Sequence, residues 1–164
     1  MPTWRASTQS FTTLKSTREL IFPELHFPSE VSQHIRLRTN KGMEEIWDII
    51  RKKWLRATPE EWVRQHTLSY LLLQGYPASI IAVESGLTTG HRQKRSDVVV
   101  YKGSKPYLLL ECKAPSVNLS QNTFNQAFNY NTTLNAPWIY LTNGIQHIFF
   151  DAVKNEQIAE LPRY

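Results

Sequence analysis

Asp97, Glu111 and Lys113 stand in the arrangement Asp-x13-Glu-x-Lys, two acids and one base of the types that metal-assisted phosphate chemistry needs. On an extended strand, residues two apart share a face, so Glu111 and Lys113 project into one space. Cys112 then turns to the opposite side, which takes its thiol out of the site and disfavours a cysteine nucleophile. Tyr107 to Leu110 is a nearly continuous apolar run, the mark of a strand buried on both faces. A carboxylate and an ammonium at the end of such a strand are costly to desolvate unless they are paired or used.

Asp97 opens the preceding strand, ahead of Val98-Val99-Val100. The short connection Lys102-Gly103-Ser104-Lys105 predicts antiparallel neighbours, which puts Asp97 beside Glu111 and Lys113. Two converging carboxylates repel unless a divalent cation sits between them. Oxygen-only ligands point to magnesium, with manganese as a substitute, held by Asp97, Glu111 and the Cys112 backbone carbonyl. Lys113 would orient a water or stabilise an anionic transition state, so the chemistry that fits is phosphodiester hydrolysis. Taken singly, an acid at a strand start is usually a turn residue, and Glu-x-Lys is usually an exposed ion pair. Their combination at the end of a buried strand is what carries weight.

The elements that must position these residues are legible along the chain. Thr58-Pro59-Glu60-Glu61 predicts a helix start, with Thr58 as N-cap, Pro59 at the first turn and Glu61 closing a capping box. That helix runs through Leu73 and stops before Gly75-Tyr76-Pro77. Strands are expected at Ser79 to Glu84, Asp97 to Tyr101 and Tyr107 to Lys113, the last ended by Ala114-Pro115. A second helix fits Gln121 to Leu134, and strands at Trp138 to Thr142 and Gln146 to Phe150 flank the Asn143-Gly144 turn. Upstream, His34 to Arg38 and Glu45 to Asp48 read as a hairpin around Thr39-Asn40-Lys41-Gly42; a helix from Met43 to Leu55 is the alternative. Residues 1–33, rich in Ser, Thr and Pro, read as a partly irregular arm, and 34–164 as one domain.

Composition sets the outer bounds. The chain has 164 residues, 41% of them hydrophobic, enough for one packed core and little more. Its formal net charge is +5, compatible with a nucleic-acid partner without demanding one. Arg92, Lys94 and Arg95 crowd a loop just before Asp97, where phosphate contacts would be needed. Arg51, Lys52, Lys53 and Arg56 form a second basic patch. One cysteine and five scattered histidines exclude an internal disulfide and disfavour a structural zinc site. No apolar stretch reaches spanning length and none follows the N-terminus as a signal peptide would, so the expectation is a cytoplasmic protein without a membrane partner.

These residues resemble the PD-(D/E)xK nuclease superfamily, and more narrowly the nuclease domain at the N-terminus of type I restriction enzyme R subunits. The likeness spans roughly residues 45–145. It is carried in order by Thr58 to Gln65, Gly75-Tyr76-Pro77, Arg95 to Val100, Glu111 to Pro115, Gln126 to Asn131 and Leu141 to Gly144. It implies an α/β (α+β) restriction-endonuclease-like core, a mixed central sheet flanked by helices in α-β-β-β-α-β order. It also implies a magnesium-dependent DNA endonuclease of restriction–modification type, with DNA and other restriction–modification subunits as partners. Carried over, Asp97 and Glu111 become metal ligands and Lys113 a catalytic partner. Glu61 becomes an active-site acid, with Glu60 its competitor and Glu84 a further carboxylate near the site. Gln126 and Tyr130, four apart on one helix face, become a support for the bound strand. Arg64, one turn into the first helix, would brace Glu61 or meet a phosphate. No G-x4-G-K-[ST] occurs in this chain, so no ATP site is expected and the resemblance reaches the nuclease module without its motor. A non-catalytic DNA-binding or assembly module that keeps the fold is the alternative.

Overall fold

The register of one antiparallel strand pair decides where the acids meet. In a computed structural model, residues 22–164 are described except for 85, 90, 91 and 96, with backbone alone for 86–89 and 92–95. The helices are α1 (Ser29–Ser32), α2 (Pro59–Leu73) and α3 (Gln121–Leu134). The strands are β1 (Leu37–Asn40), β2 (Met43–Asp48), β3 (Lys53–Arg56), β4 (Ile81–Val83), β5 (Gly86–Thr89) and β6 (Arg92–Arg95). They continue as β7 (Val98–Lys102), β8 (Lys105–Cys112), β9 (Trp138–Thr142), β10 (His147–Asp151) and β11 (Glu156–Ile158).

The main sheet runs β11-β10-β9-β8-β7-β4. β8 and β9 pair in parallel, across the α3 crossover, and the other neighbours are antiparallel. The sheet is therefore mixed, and α2-β4-β7-β8-α3-β9 gives the expected α-β-β-β-α-β order in an α+β fold. Val98, Val99 and Val100 and Leu108, Leu109 and Leu110 are all fully buried. Their alternation splits the core in two. Val98, Val100, Leu108 and Leu110 pack with Val63, Leu68 and Leu71 of α2. Val99 and Leu109 pack with Ala127, Tyr130 and Leu134 of α3. At about 25 cal/mol per Å2 of apolar surface, this two-sided burial is what fixes β8 at the centre of the sheet.

α2 is buried almost all round, because a second layer covers its outer side. β1, β2 and β3 form a separate antiparallel sheet, so the hairpin expectation holds and the helical alternative for 43–55 does not. Ile46 of β2 joins Phe22 and Trp62 in a small cluster of its own. Phe22 stacks on Trp62 at 5.2 Å, and the Trp62 indole N–H donates to the Pro23 carbonyl. Residues 22–28 thus lie across α2 and reach Gly144, whose carbonyl accepts from the His26 N–H at 2.7 Å. Gly144 has φ +81, and a Cβ there would come within 2.7 Å of Leu25 Cδ2, so both backbone and space favour glycine.

The strand expected from Ser79 begins only at Ile81, because Ala78–Ile80 forms a 3-10 turn after Pro77. The basic segment 92–95 is not a loop: it forms β6, paired with β5 from Gly86↔Arg95 to Thr89↔Arg92. A four-residue strand is too short for its alternation to stand out in sequence. At the head of α2, Thr58 Oγ1 accepts from the Glu61 N–H, but the Glu61 carboxylate does not return to close the box. It turns inward, for reasons given below. Among the described residues, no helix is long and apolar enough to cross a membrane.

Candidate functional site

Val98 pairs with Leu110, so the same register sets Asp97 opposite Glu111 at the open end of the β7–β8 pair. Asp97 is fixed from three directions. Its backbone carbonyl accepts from the Glu84 N–H at 2.7 Å. Its Oδ2 accepts from the Cys112 backbone N–H at 2.7 Å, and its Oδ1 from Arg64 Nη2 at 2.8 Å. Glu84 adopts φ +54, an uncommon backbone for a residue with a side chain, so the local fold holds this anchor against some strain.

Asp97 stands beside Glu111 at this end of the pair, so its charge bears on the Glu111 carboxyl. Burial, with the Asp97 charge next, pushes the Glu111 carboxyl up to about 8, although Lys113 pulls the other way. Glu111 and Lys113 line a cleft of about 330 Å3 together with Thr123, Gln126, Asn129 and Tyr130 of α3. The Tyr130 hydroxyl is buried without a hydrogen-bond partner. Asp97, Glu111, Lys113, Gln126 and Tyr130, named from sequence on separate elements, therefore gather at one end of the sheet.

The oxygen set suits a hard divalent cation. An ion would offset the negative charge that Asp97 and Glu111 bring together. Because the Cys112 N–H points to the Asp97 edge of β8, its carbonyl shares that edge, as backbone groups of one strand residue do. The Cys112 thiol is fully buried on the α2 side, and burial pushes its pKa well up, so it stays protonated and away from the cleft. Among the described residues no three His, Cys, Asp or Glu side chains gather as a ready cage. Two carboxylates and a backbone oxygen would leave the remaining positions to water and substrate.

Behind Asp97 lies a charge network, of which the sequence suggested only the bracing of Glu61 by Arg64. Glu61 is 7% exposed, and its carboxylate accepts from Arg64 Nη1 and, at 2.8 Å, from Gln65 Nε2. Both Glu61 oxygens are thus engaged before any metal is considered. Glu60 differs: it is half-buried, and burial and the Asp97 charge raise its pKa while Arg64 and Lys113 lower it. Glu60 Oε1 also accepts from Arg64 Nη2 at 3.3 Å, so both adjacent acids brace the same guanidinium.

Arg64 is 6% exposed, and its guanidinium faces the Glu61 and Asp97 carboxylates. Burial alone would lower its pKa, but Asp97 and Glu61 together outweigh that and raise it. Arg51 completes the network. It donates from Nε to Asp48 Oδ2 at 2.5 Å and from Nη1 to Glu84 Oε2 at 2.6 Å. Asp48 is fully buried and also accepts from the Ile50 and Arg51 backbone N–H groups. The side chains of Arg92, Lys94 and Arg95 lie outside the described residues, as does His91.

Removing one member of a buried pair leaves the other charge uncompensated. Arg64→Ala should lower the unfolding free energy by about 3–5 kcal/mol in urea denaturation. Glu84→Ala, removing a half-exposed partner, should cost no more than about 1 kcal/mol. Equal losses in the two variants would contradict this division.

No curated protein matches the chain. The solved structures include the fragment of a chain described as an HsdR subunit of a type I restriction enzyme from Vibrio vulnificus YJ016, with 21% identity and a TM-score of 0.49. The match covers 62% of this chain and 22% of that one, so the chain spans about a fifth of that relative's length. The family model for the type I restriction enzyme R protein N terminus (HSDR_N) matches residues 59–163, from the start of α2 through every strand of the main sheet. The chain belongs to the family of the type I restriction enzyme R protein N terminus.

Proposed function

We propose that this chain is a magnesium-dependent DNA endonuclease module of restriction–modification type, with the Asp97–Glu111 pair at its centre. The observation that carries this reading is the Glu111 carboxyl, held near a second carboxylate beside Lys113 in an open cleft. Asp97, Glu111 and the Cys112 carbonyl would hold the ion. When bound, magnesium, or manganese in its place, supplies Lewis-acid polarisation of water and of a phosphate oxygen.

The chain's own groups do the rest. Lys113 offers an ammonium to the attacking water or to the charge that gathers on the phosphate. Gln126 and the unpartnered Tyr130 hydroxyl offer hydrogen bonds to the bound strand from one face of α3. Arg64 and the Cys112 N–H hold Asp97 in place, and Glu61 acts through Arg64. DNA is the proposed substrate, and other restriction–modification subunits are the proposed partners. A second reading, a non-catalytic DNA-binding or assembly module, draws on the fact that both Asp97 oxygens already accept hydrogen bonds.

Plasmid cleavage in magnesium or manganese separates the two readings. The nuclease reading expects nicking or linearisation by the wild type, and a loss on the order of 100-fold or more in Asp97→Ala and Lys113→Ala. Equal cleavage by all three proteins, or none in either metal, would favour the second reading.

The site also predicts a pH dependence. The folded-state pKa of Glu111 is raised, so its contribution to stability is full below about pH 4.5 and declines as pH rises toward 8. A divalent cation should reverse that decline by replacing the lost proton. Manganese should therefore raise the melting temperature by several degrees at pH 8 and far less at pH 5. In Glu111→Gln both the decline and the manganese effect should shrink; a manganese shift of wild-type size in that variant would refute the assignment.

A further inference from the structure

The outer face of the β1–β3 sheet is built as a rigid cationic surface. Trp47 and Trp54 are cross-strand partners whose rings meet edge to face, with centroids 5.3 Å apart. Arg36 lies over the Trp47 ring at 5.1 Å, and Arg38 over the Trp54 ring at 4.3 Å. Neither tryptophan joins any of the three apolar clusters, because Ile46 and Leu55, which alternate with them, take the inward face toward α2. Arg56 sits opposite Glu45 on the same outward face, and all three arginines are exposed. Glu45, the acid on this face, is paired with Arg38 Nε at 2.6 Å.

Charge follows the same line. Residues 34–58 hold seven of the chain's 19 Lys and Arg and only three of its 14 acids, hence four of the formal net charge of +5. An indole under a guanidinium fixes its plane and leaves its N–H edges free. The arginines in turn cover the indole faces, which leaves hydrogen-bond donors on offer rather than a platform for bases.

We infer that the Arg36–Trp47–Trp54–Arg38 face is a second, sequence-independent phosphate-binding surface for duplex DNA, on the far side of α2 from the α3 cleft. The partner rests on the DNA-directed reading above, but the surface does not depend on cleavage. Full-chain protein carrying Lys113→Ala, without divalent metal, is titrated against a labelled DNA duplex by fluorescence anisotropy over a range of salt.

Adding Arg36→Ala and Arg38→Ala together should lower the log–log salt slope by about two. It should also weaken binding on the order of tenfold near 0.15 M salt. Restoring charge with Arg36→Lys and Arg38→Lys should recover most of the slope. The melting temperature serves as the folding control. An unchanged slope in a variant that melts like its parent overturns the surface and leaves the nuclease reading standing. No duplex binding by the parent overturns the surface and leaves the nuclease reading, whose metal and Lys113 are absent from this titration, to the cleavage assay. A lowered slope in a protein whose wild type never cuts DNA supports the surface and removes the nuclease reading.

Discussion

The antiparallel register of β7 on β8 brings the Asp97 and Glu111 carboxylates together where solvent cannot fully separate their charges. Most of what surrounds the site follows from that enforced proximity. The valines of β7 and leucines of β8 are buried on both faces, so a slip along either strand would carry the polar residues at its ends into the core. Hydrophobic burial therefore supplies the force, and electrostatic repulsion at the strand ends is the consequence the structure must absorb.

It absorbs the two charges differently. Asp97 is satisfied from behind, by the Arg64 guanidinium and the Cys112 N–H. Glu111 opens on the cleft and is left to bind a proton, or in the proposed working state a cation. The asymmetry gives the pair a fixed member and a responsive one. It also explains why α2, nominally a surface helix, buries Glu61, Arg64 and Gln65: covered by the β1–β3 layer, they form the polar scaffold that holds Asp97. A buried charge network of this kind gives definition to the site more than net stability.

The parts of this account readable in sequence were those with a local cause. The Thr58-Pro59 start and the Gly75 stop bounded α2, and the apolar runs with a four-residue connection fixed β7 against β8. Both signals act within a few residues, so the chain order alone carries them. The charge network was not readable, because Arg51, Arg64, Glu84 and Asp97 meet through tertiary packing with no common spacing. For the same reason the inward turn of Glu61 was not readable. A capping-box pattern predicted where Glu61 would point, and a buried arginine one turn along drew its carboxylate inward instead. The third strand of the small sheet, Lys53–Arg56, was hidden in a basic run whose alternation with Trp54 and Leu55 is only two residues long.

The central claim is that Asp97 and Glu111 share one divalent cation. It is tested most directly by crystals soaked in manganese and measured near the manganese absorption edge. A single anomalous peak is expected between the two carboxylates, within about 2.0–2.6 Å of their oxygens and of the Cys112 carbonyl. A peak beside Glu61 and away from Glu111, or none at millimolar manganese, would contradict it.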